Sequence, residues 1–134
     1  MLTGRCVCGA LRYQIDAAPL AMYHCHCGQC RRASGSAFAT NILVKSESFE
    51  LTTGEAALAS FESSPGKRRY FCSRCGSPIF SESATTPRIR SVRSGTLDAD
   101  PGLRPSAHIW VGSKSPWFEI CDELPQKSRG LGDP

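Results

Sequence analysis

No apolar run in this 134-residue chain approaches the roughly 18 residues of a membrane span. The opening residues, Met1-Leu2-Thr3-Gly4-Arg5-Cys6, lack the charged and apolar regions of a secretory leader, so a cytoplasmic location is the expectation. No Ser-His-Asp arrangement, phosphate-cradling glycine loop or dinucleotide fingerprint is present; Gly95-Thr96-Leu97-Asp98 is turn-like and not a nucleotide motif. No internal repeat and no low-complexity segment occurs. The charge balance is weak: a net +4 and a pI near 8.7 suit an anionic small substrate but do not imply nucleic acid. The expected partner is therefore a small molecule, with neither nucleic acid nor membrane, and the oligomeric state stays open.

What remains is an ordinary globular composition, 40% hydrophobic and 21% charged, with enough residues for one modest core. The division expected is a single β domain over residues 1–126 and a polar, fraying tail over residues 127–134. Leu11, Tyr13 and Ile15 alternate with Arg12 and Gln14, the period of a half-buried strand. Further strands are expected at 38–44, 48–52, 57–61, 69–72, 78–81, 89–93 and 107–111. Gly, Pro and Ser split them at short spacing, which points to a mainly β sandwich or barrel-like sheet. Residues 28–34 form the single helical stretch, and residues 63–66 a hairpin tip or mobile loop.

Cysteine is the abundant exception. There are 8, and seven fall into three clusters: Cys6-Val7-Cys8, Cys25-His26-Cys27-Gly28-Gln29-Cys30 and Cys72-Ser73-Arg74-Cys75. An even count admits a disulfide framework, but disulfides are rare in a reducing compartment and the spacings are those of metal ligands. Residues two apart in a strand share a face, so Cys6 and Cys8 present their sulfurs together. Cys72 and Cys75 make a tight knuckle, with Gly76 freeing the backbone. Together these four form a thiolate-only tetrahedral set that favours zinc over iron and staples an early hairpin to a late one. Such a site contributes folding energy and no chemistry.

Cys25, Cys27 and Cys30 are three, and three ligands leave one position open. Cys30 lies near a helix start, and Arg31 and Arg32 add positive charge, both favouring thiolate. Zinc held there would act as a Lewis acid on a substrate sulfur or oxygen. Two plainer readings stand beside this one. Cys121, His24 or His26 could close the site as a fourth ligand, although the two histidines point away from the cysteines in an extended strand. Or the thiols could be reduced and metal-free. Elsewhere Cys121 reads as a small buried residue, His108 as a hydrogen-bonded core histidine and Trp117 as core or pocket wall. Lys67-Arg68-Arg69 reads as a solvated charge run; with Tyr70 and Phe71 beside it, it is too short to signal nucleic acid.

Gly4-Arg5-Cys6-Val7-Cys8-Gly9, Cys25-His26-Cys27-Gly28-Gln29-Cys30-Arg31-Arg32 and Phe71-Cys72-Ser73-Arg74-Cys75-Gly76-Ser77 resemble the three motifs of the glutathione-dependent formaldehyde-activating enzymes. Gly95-Thr96-Leu97-Asp98, His108-Ile109, Trp117 and Asp122-Glu123-Leu124-Pro125 fall in that family's order as well. The resemblance implies a β-tent (Mss4-like) fold of packed antiparallel β-sheets with little helix. It implies a structural zinc on Cys6, Cys8, Cys72 and Cys75, and a second, catalytic zinc on Cys25, Cys27 and Cys30, open to a thiol and held more loosely. The implied activity is that of a carbon–sulfur lyase interconverting S-hydroxymethylglutathione with glutathione and formaldehyde. The motifs are metal ligands and define a site, not a substrate. A non-enzymatic zinc module that binds a protein is the alternative, and it requires a closed second site and an exposed apolar patch.

Overall fold

A computed structural model describes residues 1–132. Ten strands and one helix run in the order β1 (Leu2–Arg5), β2 (Arg12–Ile15), β3 (Ala21–Cys25), α1 (Gly28–Ser34), β4 (Ala39–Lys45), β5 (Phe49–Thr53), β6 (Leu58–Ser64), β7 (Lys67–Cys72), β8 (Pro78–Ser83), β9 (Ile89–Arg93) and β10 (His108–Ile109). The protein is mainly β, as its strand-length apolar runs require. A three-stranded sheet has the order β1-β2-β5, and a seven-stranded sheet the order β10-β3-β4-β9-β8-β7-β6. Every pairing is antiparallel except the short β10–β3 pair, which is parallel.

The alternation in β2 does what its period dictates. Leu11, Tyr13 and Ile15 are buried, and they face Ile42, Val44, Phe80 and Val92 of the larger sheet. Aromatic rings bridge the two sheets. Tyr13 stacks on Phe49 at 5.0 Å between centroids, and Phe49 meets Phe80 at 4.8 Å. Tyr70 stacks on Phe80 at 4.4 Å. Contacts of this kind add about 1 kcal/mol each beyond the area they bury. Gly4 is demanded by this packing, because a Cβ there would lie 2.3 Å from the Tyr13 ring and 2.6 Å from the Thr96 carbonyl.

A second cluster, Tyr23, Cys25, Cys30, Ala39, Ala107 and Ile109, packs around β3, β4 and β10. The bounds of α1 and β9 coincide with expectation, and seven further expected strands are present with edges shifted by one to three residues. Strands β1 and β3 have no counterpart in the sequence reading. Met22 and Tyr23 are apolar on successive positions and blur the two-residue period of β3. Cys6 and Cys8 are also not on a strand: they sit in the turn that joins β1 to β2, where Gly9 takes φ 78°.

The segment after residue 126 is tied to β10 at its start. The Lys127 amide donates to the His108 carbonyl at 2.8 Å, the Val111 amide to Lys127 at 3.0 Å and the Trp110 amide to Arg129 at 2.8 Å. Of the expected tail, residues 133 and 134 lie outside the described residues. Among the described residues, no helix is long and apolar enough to cross a membrane.

Candidate metal centres

Two turns bring the first four thiols together. The β1–β2 turn carries Cys6 and Cys8, and the β7–β8 connection carries Cys72 and Cys75. In the latter, the Gly76 amide donates to the Cys72 carbonyl at 2.8 Å, and Gly76 adopts φ 79°, which a side chain would strain. Ser77 joins the two turns. Its Oγ accepts from the Val7 amide at 2.9 Å and lies 3.3 Å from the Cys75 Sγ. All four sulfurs lie within 4.8 Å of one another, with Cys6–Cys8 at 3.6 Å and Cys8–Cys72 at 3.8 Å. A tetrahedral zinc with bonds of about 2.3 Å sets its sulfurs about 3.8 Å apart, so the cluster fits that ion. The protonation pattern of the bare cluster agrees. The Ser77 hydroxyl lowers the Cys75 thiol to about 5. Cys8 is pushed up to about 11: a hydrogen bond from the Ala10 amide works against the rise, while desolvation and the neighbouring thiols of Cys6, Cys75 and Cys72 produce it. Four thiols this close cannot all ionise without a cation among them.

The other three thiols meet at the end of β3 and the start of α1. Their sulfurs also lie within 4.8 Å of one another. Strand β3 holds Cys25 opposite Ala39 on one side and beside Ile109 on the other. Cys27 is the N-cap of α1, its sulfur accepting the Cys30 amide at 3.2 Å, and this turn brings Cys30 back toward Cys25. Within the trio the charge settles on Cys30. Hydrogen bonds from the Cys25 and Cys27 thiols lower it well below the usual thiol range, and the guanidiniums of Arg93 and Arg69 add to this. Cys25 moves the other way, raised by its sulfur neighbours Cys27 and Cys30 and by burial. The set could hold a metal ion through three soft donors.

Arg69 is a residue that sequence reasoning placed wrongly. It is 6% exposed rather than solvated. Its Nη1 and Nη2 lie 3.9 and 3.8 Å from the Cys30 Sγ, and it also donates to Ser63 Oγ at 3.0 Å and Gln29 Oε1 at 3.2 Å. Arg93 is buried nearby and donates to Asn41 Oδ1 at 2.6 Å. The two-residue period of β7 was the available signal: Lys67 and Arg69 share one face and Arg68 takes the other.

Gln29, Asn41, Lys67, Arg69 and Arg93 line a cavity of ≈ 700 Å³ that opens onto Cys25, Cys27 and Cys30. Trp110 stands in its wall with φ 56°, a conformation that costs a bulky residue energy and that clusters at functional sites. Cys121 is not part of the group. It is exposed, and its thiol donates to the Glu119 carbonyl at 3.6 Å, so it is neither the buried residue nor the fourth ligand that the sequence allowed. His26 faces the other way, as its position between Cys25 and Cys27 requires. Its Nε2 lies 2.8 Å from His108 Nδ1, and His108 Nε2 lies 2.9 Å from Asp122 Oδ2. The carboxylate fixes the proton on His108 Nε2, which makes Nδ1 the acceptor and His26 the donor. Burial and the neighbouring His108 lower His26 to about 4. His24 bonds Thr40 Oγ1 at 2.7 Å instead. His108 is thus a hydrogen-bonded core residue, whereas Trp117 is 72% exposed and belongs to no core.

A mainly β fold carrying a four-thiol and a three-thiol cluster defines a candidate metalloprotein of the thiol-ligand class. The family model described as glutathione-dependent formaldehyde-activating enzyme matches residues 1–113. The chain belongs to that family. A Halomonas elongata protein, provisionally named a glutathione-dependent formaldehyde-activating enzyme, is 30% identical over 128 residues, covering 90% of this chain and 81% of its own. A crystal structure of a Rhodobacter sphaeroides protein shares the fold, with a TM-score of 0.64 at 20% identity, covering 92% of this chain and 98% of that one.

Proposed function

We propose that the chain is a zinc-dependent carbon–sulfur lyase acting on a small thiol adduct, of the type that interconverts S-hydroxymethylglutathione with glutathione and formaldehyde. In this reading Cys6, Cys8, Cys72 and Cys75 hold a structural zinc, and Cys25, Cys27 and Cys30 hold the catalytic one. The observation that carries it is a trio of thiols facing a cavity with no fourth Cys, His, Asp or Glu beside it among the described residues. A zinc there would supply Lewis acidity toward a thiol sulfur.

The chain's own residues supply the rest. Arg69 and Arg93 place positive charge where the sulfurs meet, which keeps Cys30 ionised and favours any further thiolate. Cys27, as the cap of α1, fixes the spacing from Cys25 to Cys30. In the forward direction the thiol sulfur attacks the formaldehyde carbon, a C–S bond forms, and the carbonyl oxygen ends as a hydroxyl carrying the thiol proton. In the reverse direction that bond breaks, the electron pair returns to sulfur and the hydroxyl proton leaves. Exchange spectroscopy on carbon-labelled formaldehyde with glutathione tests the assignment. The zinc-loaded chain speeds exchange between free and adduct carbon, and Cys30→Ser removes the acceleration while leaving the fold. An unchanged exchange rate with zinc-loaded protein refutes it.

A further inference from the structure

The cavity is one-sided in charge. Arg32, Lys67, Arg69 and Arg93 line it, and no Asp or Glu does. Three of these cations have local partners. Arg69 bonds Ser63, Gln29 and Cys30; Arg93 bonds Asn41; Arg32, exposed at the mouth, bonds the Gly28 carbonyl at 3.4 Å. None of those partners is a carboxylate. The arginine–carboxylate pairs among the described residues lie elsewhere, at Arg90–Glu82 and Arg104–Asp100. Lys67 is different again. It is half-buried at the start of β7, opposite Ser83 and Ser64, and no hydrogen bond or ion pair holds its ammonium among the described residues. An ammonium withdrawn from water beside two buried guanidiniums is costly without an anion. The cavity is also far larger than a thiol group, so it has room for the body of a ligand anchored at the cysteines, and Lys67 is among the residues that line that room.

We propose that Lys67 forms a carboxylate subsite beside the three-thiol cluster, so that the site selects thiols carrying an anionic group and discriminates against neutral ones. The inference rests on the reading of the trio as a thiol-binding centre. Lys67 contacts the ligand's carboxylate and takes no part in the C–S bond. The orientation it imposes is what separates a small acidic thiol from a neutral thiol of the same length.

Calorimetric binding of 3-mercaptopropionate and 2-mercaptoethanol to the zinc-loaded chain tests this. The acid binds about tenfold tighter, the worth of one charge-assisted hydrogen bond in a partly buried site. Lys67→Met brings the two within about twofold, by loss of affinity for the acid alone. Lys67→Arg keeps the preference, and Lys67→Gln serves as the neutral variant if the methionine variant does not fold. Equal affinities in the wild type, a preference that survives neutralisation of Lys67, or no binding of the acid overturns the proposal. Heat of binding is independent of turnover. A chain that prefers the acid but does not accelerate formaldehyde exchange refutes the lyase reading and leaves the subsite; a chain that exchanges formaldehyde without preferring the acid refutes the subsite alone.

Discussion

Replacing Arg69 by methionine removes a buried charge from the centre of the candidate site while keeping much of its volume. The guanidinium nitrogens stand 3.8 and 3.9 Å from the Cys30 sulfur. Two unit charges at that separation interact by about 4 kcal/mol at an effective dielectric of about 20. That is a ceiling, because the Cys25 and Cys27 thiols and Arg93 continue to stabilise the Cys30 thiolate. With those left in place, about 2 kcal/mol is the expected loss. In metal-free protein the Cys30 thiolate therefore takes up its proton at a higher pH in the variant than in the wild type. Ultraviolet thiolate absorbance followed against pH reads this directly, and Arg69→Lys, which keeps the charge, should recover most of the difference. Superimposable titrations of wild type and Arg69→Met would show that the arginine does not act on the thiols, and the electrostatic account of the cavity would fall with it.

Cys72→Ser removes a fully buried thiol of the four-membered set. A structural zinc supplies on the order of 10 kcal/mol, so loss of one of its ligands should lower the urea-unfolding midpoint well below that of the zinc-loaded wild type, and an unchanged midpoint would contradict a structural metal there. Gly4→Ala drives a methyl against Tyr13 and the Thr96 carbonyl and should cost about 2 kcal/mol in urea unfolding; an unchanged midpoint would contradict the packing described. The metal-free chain should show a stability maximum near pH 9. Cys75 is lowered to about 5 and His26 to about 4, so the stability that both contribute is lost as pH falls through those values. Cys8 is raised to about 11, so its contribution is complete below pH 9 and lost as pH rises toward 11. A flat unfolding midpoint from pH 5 to pH 9 would contradict these assignments.

The sites were more legible in the sequence than the strands were. Cysteine at ligand spacing marks a cluster whatever backbone carries it, and the structure groups Cys6, Cys8, Cys72 and Cys75 apart from Cys25, Cys27 and Cys30. The backbone under Cys6 and Cys8 is a turn, because a Cys-x-Cys pair can converge in either conformation. Strand β3 escaped notice because Met22 and Tyr23 hide its alternation, and β1 because it offers four residues and one buried position, a glycine. Arg69 and Lys67 escaped for a physical reason. A run of cations ordinarily faces water, and the Cys30 sulfur and Gln29 of α1, together with Ser63, are what make the burial of Arg69 tolerable. Cys121 could not be assigned from the sequence, because a lone cysteine carries no pattern; its distance from the trio is a property of the loop after β10.

The central claim is that the four-thiol cluster holds the fold and the three-thiol cluster holds a replaceable, working metal. Zinc per folded chain in Cys27→Ser tests it most directly. Serine is itself a good N-cap, so α1 keeps its first turn while the trio loses a soft ligand. The account predicts two zinc ions per wild-type chain and one per variant chain, with an unchanged circular dichroism spectrum. A wild type that holds a single zinc, or a variant that loses its fold along with its metal, would contradict it.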